Sequence, residues 1–356
     1  MGKLGKSKGT WPYEGRYGCG WGWGWDPAWY QDNSWNSWKG KGKGGQRSKG
    51  GQCSKGGQRS SKGGQRSKGP VADWADQDTV ATPEHVAKIT SSAATAVRLC
   101  LLRDLPGASP QWEPFVEDPE RRSFSYVLRR ERGALSDERE LQEWFRLLHP
   151  SSIGVGNGAW TDAHFKGQKL LRKTAWYVWP PCQCSYDYAD THQAAVSDPG
   201  MEKAIQAISH RVFEACDVQD NPPNSVNLNF YPPGGGVGFH SDDEPLFDGL
   251  NRDAAIISLS LSEPSDDTKN GSRWFEVRLK KGLRGQWGDI KAVELRYGDL
   301  MTMEGLFQLY YLHSAWPGDR LDITEGPGRT AYGERINLTW RWLVCHTMSC
   351  PQAGSQ

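Results

Sequence analysis

From residue 226 onward the chain alternates short apolar runs with glycine, proline and polar turns. The runs 226–231, 255–261, 274–279, 292–297, 300–303 and 336–344 each read as a β-strand. Several short strands at this spacing predict a sandwich or jelly roll. The last run is the most regular. In Arg335-Ile336-Asn337-Leu338-Thr339-Trp340-Arg341, polar and apolar residues alternate with the period of a strand that has one polar face. Upstream the period lengthens to that of helices. Thr82-Pro83-Glu84 supplies a capping hydroxyl, a first-turn proline and an acid, and Val86, Ile89, Ala93, Ala96, Val97 and Leu101 follow at helical spacing. A second helix is predicted from Ser136-Asp137-Glu138, burying Leu141, Trp144, Phe145 and Leu148 before Pro150. A third runs from about Asp198-Pro199 to Ala215 and presents Met201, Ile205, Ile208, Val212 and Phe213. The class expected is α+β, with the helices packed on one sheet of a jelly-roll core.

The first 80 residues follow neither period. Gly20-Trp21-Gly22-Trp23-Gly24-Trp25 is followed by four near-copies of Gly-Gly-Gln-Arg-Ser-Lys between residues 44 and 68. Such a composition buries too little apolar surface to offset chain entropy, so a disordered tail is expected over residues 1–80. A helical extension over 81–160 and a core domain over 161–348 complete the expected organisation. Charge sharpens this division. The chain carries a net +1, but residues 1–69 carry +11 and the remainder −10. A basic tail bearing seven tryptophans, on an acidic body, has the chemistry of a single-strand tether: cations meet phosphates and rings stack on bases. An ordinary solvated linker is the other reading of the same segment.

No run approaches the ~18 apolar residues of a membrane span, and the start of the chain lacks an apolar signal core. Eight scattered cysteines suit a reducing, intracellular setting. The Lys/Arg-rich tail points to the nucleus, with the cytoplasm as the other compartment. Cys182-Gln183-Cys184 and Cys345-His346…Cys350 offer residue types that bind zinc, but neither shows a paired Cys-x-x-Cys spacing. Ordinary thiols, and no structural zinc, are expected.

The chemistry-bearing residues lie in the strand-rich half. His240 and Asp242 stand two apart, so an extended strand would point both to one face. His313 follows 71 residues after Asp242. Two histidines and a carboxylate occupy one face of an Fe(II) octahedron and leave three positions open. A His-x-Asp pair alone is common. Joined by a distant histidine and by Arg335 and Arg341 on one polar strand face, it becomes specific, because two guanidiniums on a buried face need an anion.

The stretches Asn229-Phe230-Tyr231…Phe239-His240-Ser241-Asp242-Asp243-Glu244-Pro245, Gly298–Gly305 with Tyr311-Leu312-His313, and Arg335–Arg341 together resemble the AlkB family of Fe(II)/2-oxoglutarate dioxygenases, in its nucleic-acid alkylation-repair branch. The resemblance spans roughly residues 170–345. It implies a double-stranded β-helix core, Fe(II) on His240, Asp242 and His313, and 2-oxoglutarate as cosubstrate. Arg335 would meet the far carboxylate, assisted by Asn229, Tyr231 and Asn337, and Arg341 the carboxylate nearer the metal. Glu244 matches an acidic position that contacts the target base, and Arg273 a basic residue beside the pocket. Arg172, Tyr186 and Tyr188 resemble the nucleotide-recognition lid. Two departures stand out: a long polar segment over 316–334, and Trp340 where the family usually carries phenylalanine.

The activity so implied is oxidative removal of N-methyl lesions, of the 1-methyladenine or 3-methylcytosine type, from DNA or RNA. The substrate would be a single strand or a flipped-out base, and the protein a monomer. An RNA-mark demethylase or a protein hydroxylase would use the same iron core. A nucleic-acid-binding protein without chemistry is a further alternative.

Overall fold

The computed structural model describes residue 102 and most of residues 111–353, with 134, 136, 153–158, 166, 189, 264–271, 281–288 and 317–332 outside the description. The tail, the helix expected from Thr82 and most of the 316–334 segment therefore lie outside the described residues. In chain order the elements are β1 (Trp112–Asp118), β2 (Ser123–Leu128), α1 (Glu138–Leu148), β3 (Thr161–Phe165), β4 (Gln168–Val178), β5 (Tyr186–Tyr188), β6 (Thr191–Gln193), α2 (Pro199–Cys216), β7 (Ser225–Tyr231), β8 (Val237–His240), β9 (Ile256–Ser262), β10 (Arg273–Leu279), β11 (Lys291–Leu295), β12 (Leu300–Gly305), α3 (Phe307–Tyr310), β13 (Tyr311–Trp316) and β14 (Arg335–Arg341).

These strands build an eight-stranded sheet, β1-β2-β12-β9-β14-β7-β4-β3, and a four-stranded sheet, β11-β10-β13-β8. The ladders within both are antiparallel. Period-two alternation gives the large sheet two unlike faces. One is apolar: Val226, Leu228 and Phe230 of β7, Ile257, Leu259 and Leu261 of β9, and Ile336, Leu338 and Trp340 of β14 share a core with α1 and α2. The other face carries Asn227, Asn229 and Tyr231, Ser258 and Ser260, and Arg335, Asn337, Thr339 and Arg341. A separate core of Ile256, Phe275, Val277, Met301 and Met303 joins the two sheets at one end. This is the expected jelly-roll arrangement, with helices backing one sheet.

The two long helices, α1 and α2, begin where cap chemistry dictates. The Asp137 carboxylate accepts from the backbone N–H groups of Arg139 and Glu140, and Asp198 accepts from Met201 N–H. Leu141, Trp144, Phe145 and Leu148 of α1 are buried, as are Met201, Ile205, Ile208, Val212 and Phe213 of α2. Trp340, at the usual phenylalanine position, gains a partner for its indole N–H, which donates to Ser209 Oγ on α2 at 2.8 Å.

Two expectations are corrected. The region read as a helical extension holds the β1–β2 hairpin, and β2 pairs with β12 to widen the large sheet. In β1 only Trp112 and Val116 are buried, and the polar–apolar alternation of β2 is confined to Ser123-Phe124-Ser125-Tyr126, too short a run to mark a strand by itself. The final strand stops at Arg341 rather than running to 344. Leu343 N–H bonds the Asn224 side chain at 2.6 Å and Val344 N–H bonds Leu246 O at 2.8 Å, so the chain has already left the ladder.

Candidate active site

The cleft opens on the polar face of the large sheet, opposite the small one. With the solvent at its mouth included it spans about 630 Å³, and it is lined by His240, Asp242 and His313 together with Arg172, Tyr186, Tyr188, Asn229, Tyr231, Arg335, Asn337 and Arg341. Eleven of the thirteen residues singled out in the sequence thus meet in one cavity.

The two histidines are brought together by register. His240 ends β8, and its ladder partner on β13 is His313. Their ring centroids lie 4.2 Å apart. Asp242 lies just beyond the strand end rather than on the extended strand expected for it, and it still reaches the same point. Its Oδ1 is 3.6 Å from His240 Nε2 and 3.7 Å from His313 Nε2. Gly238 O fixes His240 by accepting from Nδ1 at 2.8 Å, which leaves Nε2 as the lone-pair nitrogen toward Asp242. Asp242 N–H donates to Gln308 Oε1 on α3 at 2.8 Å, and Phe275 stacks on His313 at 5.5 Å. Sequence reading missed Gln308, which lies between the matched stretches, and Phe275, which stands in the Ser272-Arg273-Trp274-Phe275 stretch where only Arg273 was singled out.

Electrostatics suit a cation. Burial, then His240, pushes His313 down to about 3, and burial likewise lowers His240. Both imidazoles are therefore neutral donors at neutral pH. Burial resists charge on Asp242, but Arg341 foremost, and then the histidines, hold its carboxyl well below the usual range. Two neutral imidazoles and one carboxylate, with ligand atoms all within 4.8 Å of one another, fit a divalent iron with open positions.

The cosubstrate end lies deeper. Arg335 is buried and donates from Nη2 to Ser260 Oγ at 2.8 Å and to Asn337 Oδ1 at 2.6 Å. Its Nε has no partner, and among the described residues no carboxylate faces it. Burial alone pulls its pKa to about 10. An uncompensated buried guanidinium is the feature that an entering dicarboxylate would satisfy. Arg341 differs from expectation. Its Nε and Nη2 both donate to Asp242 Oδ2, leaving only Nη1 unpartnered for a ligand carboxylate. The carboxylate is shared, with Oδ2 on the arginine and Oδ1 toward the histidines.

The outer wall is aromatic. Arg172 lies over the Tyr188 ring at 4.9 Å, and Tyr188 in turn faces His240 with centroids 6.1 Å apart. Tyr186 stacks on Trp176 at 4.8 Å and donates its hydroxyl to Glu244 Oε1. Glu244 sits behind that tyrosine rather than on the cleft surface. Burial, then Asp242, pushes it up to about 8, so it keeps a proton at neutral pH. Arg273 is corrected. It is 1% exposed, and its guanidinium donates to the carbonyls of Gly235, Ser272 and Gly333 at 2.9–3.1 Å, outside the cleft lining. It clamps loops and does not face the cavity.

The family model of the 2OG-Fe(II) oxygenase superfamily matches residues 132–341. The chain belongs to this superfamily. The resemblance read from the motifs is borne out at that level, and with it the Fe(II) and 2-oxoglutarate requirement of a dioxygenase. Several solved structures show partial similarity to this chain. OsALKBH1 matches at 18% identity over 61% of this chain and 97% of that one, with a TM-score of 0.37. A prolyl-4-hydroxylase from Pseudomonas putida matches at 14% over 57% and 88%, TM-score 0.31. A 2OG-Fe(II) oxygenase-family oxidoreductase from Burkholderia pseudomallei matches at 11% over 51% and 71%, TM-score 0.29. No curated protein matches this chain. Among the described residues, no helix of this oxygenase is long and apolar enough to cross a membrane.

A second group of ligand types also comes together. Cys182, Cys184, His346 and Cys350 place their ligand atoms within 4.8 Å of one another, correcting the expectation of separate thiols. Cys184 and His346 are 162 positions apart, so no local spacing could announce the group, and Cys345 is not part of it.

Proposed function

We propose that this oxygenase is an oxidative demethylase of N-methylated bases in nucleic acid. The chemistry that Fe(II) and 2-oxoglutarate supply at such a triad is hydroxylation of a C–H bond by O₂, with succinate and CO₂ as co-products. On an N-methyl group, hydroxylation gives a hemiaminal that sheds formaldehyde and leaves the unmethylated base.

The observation that carries this reading is the wall of Tyr186, Tyr188 and Arg172, backed by Glu244, beside the triad. Flat aromatic rings offer stacking to any base, worth about 1–3 kcal/mol each. Glu244 gives one oxygen to Tyr186 and leaves Oε2 without a partner. That protonated carboxyl lies behind Tyr186, so its part is to hold the tyrosine in the wall and not to touch the base. Tyr188 over His240 would hold the methyl near the triad, while Arg335 and Asn337 hold 2-oxoglutarate deeper in the cleft. A base must leave its stack to enter, which favours damaged or single-stranded sites. The basic tryptophan-rich tail is proposed as the tether for such strands. Its charge and stacking residues support that role, and its Lys/Arg content supports nuclear residence.

The test is formaldehyde release. The enzyme, loaded anaerobically with Fe(II) and 2-oxoglutarate and then given O₂, should release formaldehyde from DNA or RNA oligonucleotides bearing 1-methyladenine or 3-methylcytosine. Succinate formation that no methylated base stimulates would sink the proposal. The Asp242→Ala chain should lose both products, at least ~10³-fold, or about 4 kcal/mol of barrier.

A further inference from the structure

The Cys182, Cys184, His346 and Cys350 cluster lies apart from the oxygenase triad and takes no part in the chemistry above. Cys182 and Cys184 sit in the loop between β4 and β5, and His346 and Cys350 follow β14. All three thiols are buried, and none forms a disulfide. His346 Nδ1 lies 3.5 Å from Cys182 Sγ, 3.6 Å from Cys184 Sγ and 3.5 Å from Cys350 Sγ. Cys350 Sγ and Cys182 Sγ are 3.8 Å apart.

Hydrogen bonding does not account for this geometry. One imidazole nitrogen has either one proton or one lone pair, so it can satisfy only one of three surrounding sulfurs. A single ion at the centre satisfies all four groups. With Zn–S near 2.3 Å and Zn–N near 2.0–2.1 Å, a regular tetrahedron has S···N edges of about 3.6 Å and S···S edges of about 3.8 Å. The four distances above match those edges. Three soft thiols and one imidazole are also the donor set that selects zinc over hard cations. Outer contacts suit a charged sulfur: Thr347 N–H points at Cys184 Sγ from 3.3 Å, and Thr347 Oγ1 lies at 3.6 Å.

We propose that Cys182, Cys184, His346 Nδ1 and Cys350 bind one Zn²⁺ as a closed structural site that ties the C-terminal segment to the root of the β5–β6 hairpin. Binding replaces the three thiol protons, which pass to solvent, and involves no redox step. All four positions are filled by protein, so the ion has no open site for a substrate. Its position gives it a consequence in the cleft. Trp176 Nε1 donates to Cys184 O at 2.8 Å, and the same indole stacks on Tyr186, two residues beyond Cys184. The zinc therefore anchors the strand that carries Tyr186 and Tyr188.

Metal analysis of the purified full-length chain tests this. Zinc should remain near one per chain after exhaustive dialysis, both in the native chain and in Asp242→Ala, where the iron site is broken. Replacing zinc with Co²⁺ should give the intense visible bands of a tetrahedral ion and near-ultraviolet thiolate charge transfer. Cys184→Ser should lose the zinc. Cys350→His provides a second variant that keeps four ligands and so separates loss of the ion from loss of the fold. It should fold, retain zinc, and lose about a third of the thiolate charge-transfer intensity, as two of three sulfurs remain. A folded native chain that holds no zinc and shows no tetrahedral cobalt spectrum would overturn the proposal. So would zinc content that follows Asp242 and not Cys184.

Discussion

Arg273 and Arg335 are buried to the same degree, 1% and 2% exposed, yet they mean different things. Arg273 spreads its guanidinium over four backbone carbonyls, those of Pro232, Gly235, Ser272 and Gly333, and holds the turn at Gly235 to Gly333, just before β14. Arg335 reaches one hydroxyl and one amide oxygen, keeps Nε unpartnered, and meets no carboxylate among the described residues. Burial of a cation is therefore not itself a sign of function. What separates the two is whether the folded chain finishes the job of replacing water. Arg273 is finished by the fold. Among the described residues nothing finishes Arg335, and a ligand carboxylate would.

The largest effect should come from Arg335→Met. Losing the partner of a buried carboxylate typically costs 2–5 kcal/mol, so the 2-oxoglutarate concentration for half-saturation should rise roughly 10²–10³-fold. Calorimetry on the Mn²⁺-loaded chain would read this directly. The ligand-free melting temperature should not fall, because the substitution removes a charge that the fold leaves uncompensated. Arg273→Met should do the reverse. It orphans several buried carbonyls at about 1–3 kcal/mol each, so stability should drop by about 2–4 kcal/mol in a denaturant titration. Half-saturation by 2-oxoglutarate should move less than about twofold. A 10²-fold change in Arg273→Met would erase the distinction between the two sites.

A pH titration sharpens the same contrast. In the ligand-free fold, burial lowers Arg335 to about 10, below its ordinary value. The unfolded chain thus holds this proton to higher pH than the folded one. The group costs stability below about pH 10, and that cost fades as pH rises through 10. A bound carboxylate favours the charged form. Affinity for 2-oxoglutarate should accordingly weaken about tenfold per unit once pH exceeds 10, a limb that Arg335→Met should lack.

This contrast also marks how much the sequence disclosed. The β14 alternation was readable because a strand's two faces are written two residues apart, so Arg335, Asn337 and Arg341 could be assigned to one side against Ile336, Leu338 and Trp340. The caps at Asp137 and Asp198, and the buried stripes of α1 and α2, were local in the same way. Arg273 was placed beside the pocket because its position matches the family, while its satisfaction by Gly235 and Gly333 depends on loops 38 and 60 residues away. Gln308 under Asp242 is 66 residues off, and the cysteine–histidine group spans more than 160. Chemistry carried by one strand was legible, whereas chemistry assembled across the sandwich was not.

The smallest effect predicted lies on the outer wall, where satisfaction is divided. Tyr186 gives its hydroxyl proton to Glu244 and its ring face to Trp176, so the fold holds it at both ends. Glu244 Oε2 has no partner among the described residues, but it lies behind the tyrosine and off the cleft surface, so only Tyr186 of this pair lines the cleft. Tyr186→Phe removes one hydrogen bond and keeps the stacking, a change of about 1 kcal/mol. The KM for a methylated oligonucleotide should rise roughly 3–10-fold by that amount, while succinate formation in the absence of base stays unchanged. An equal loss of both products would mean that Tyr186 supports the triad and not the base. The wall would then belong with Arg273, as a part the fold has already completed.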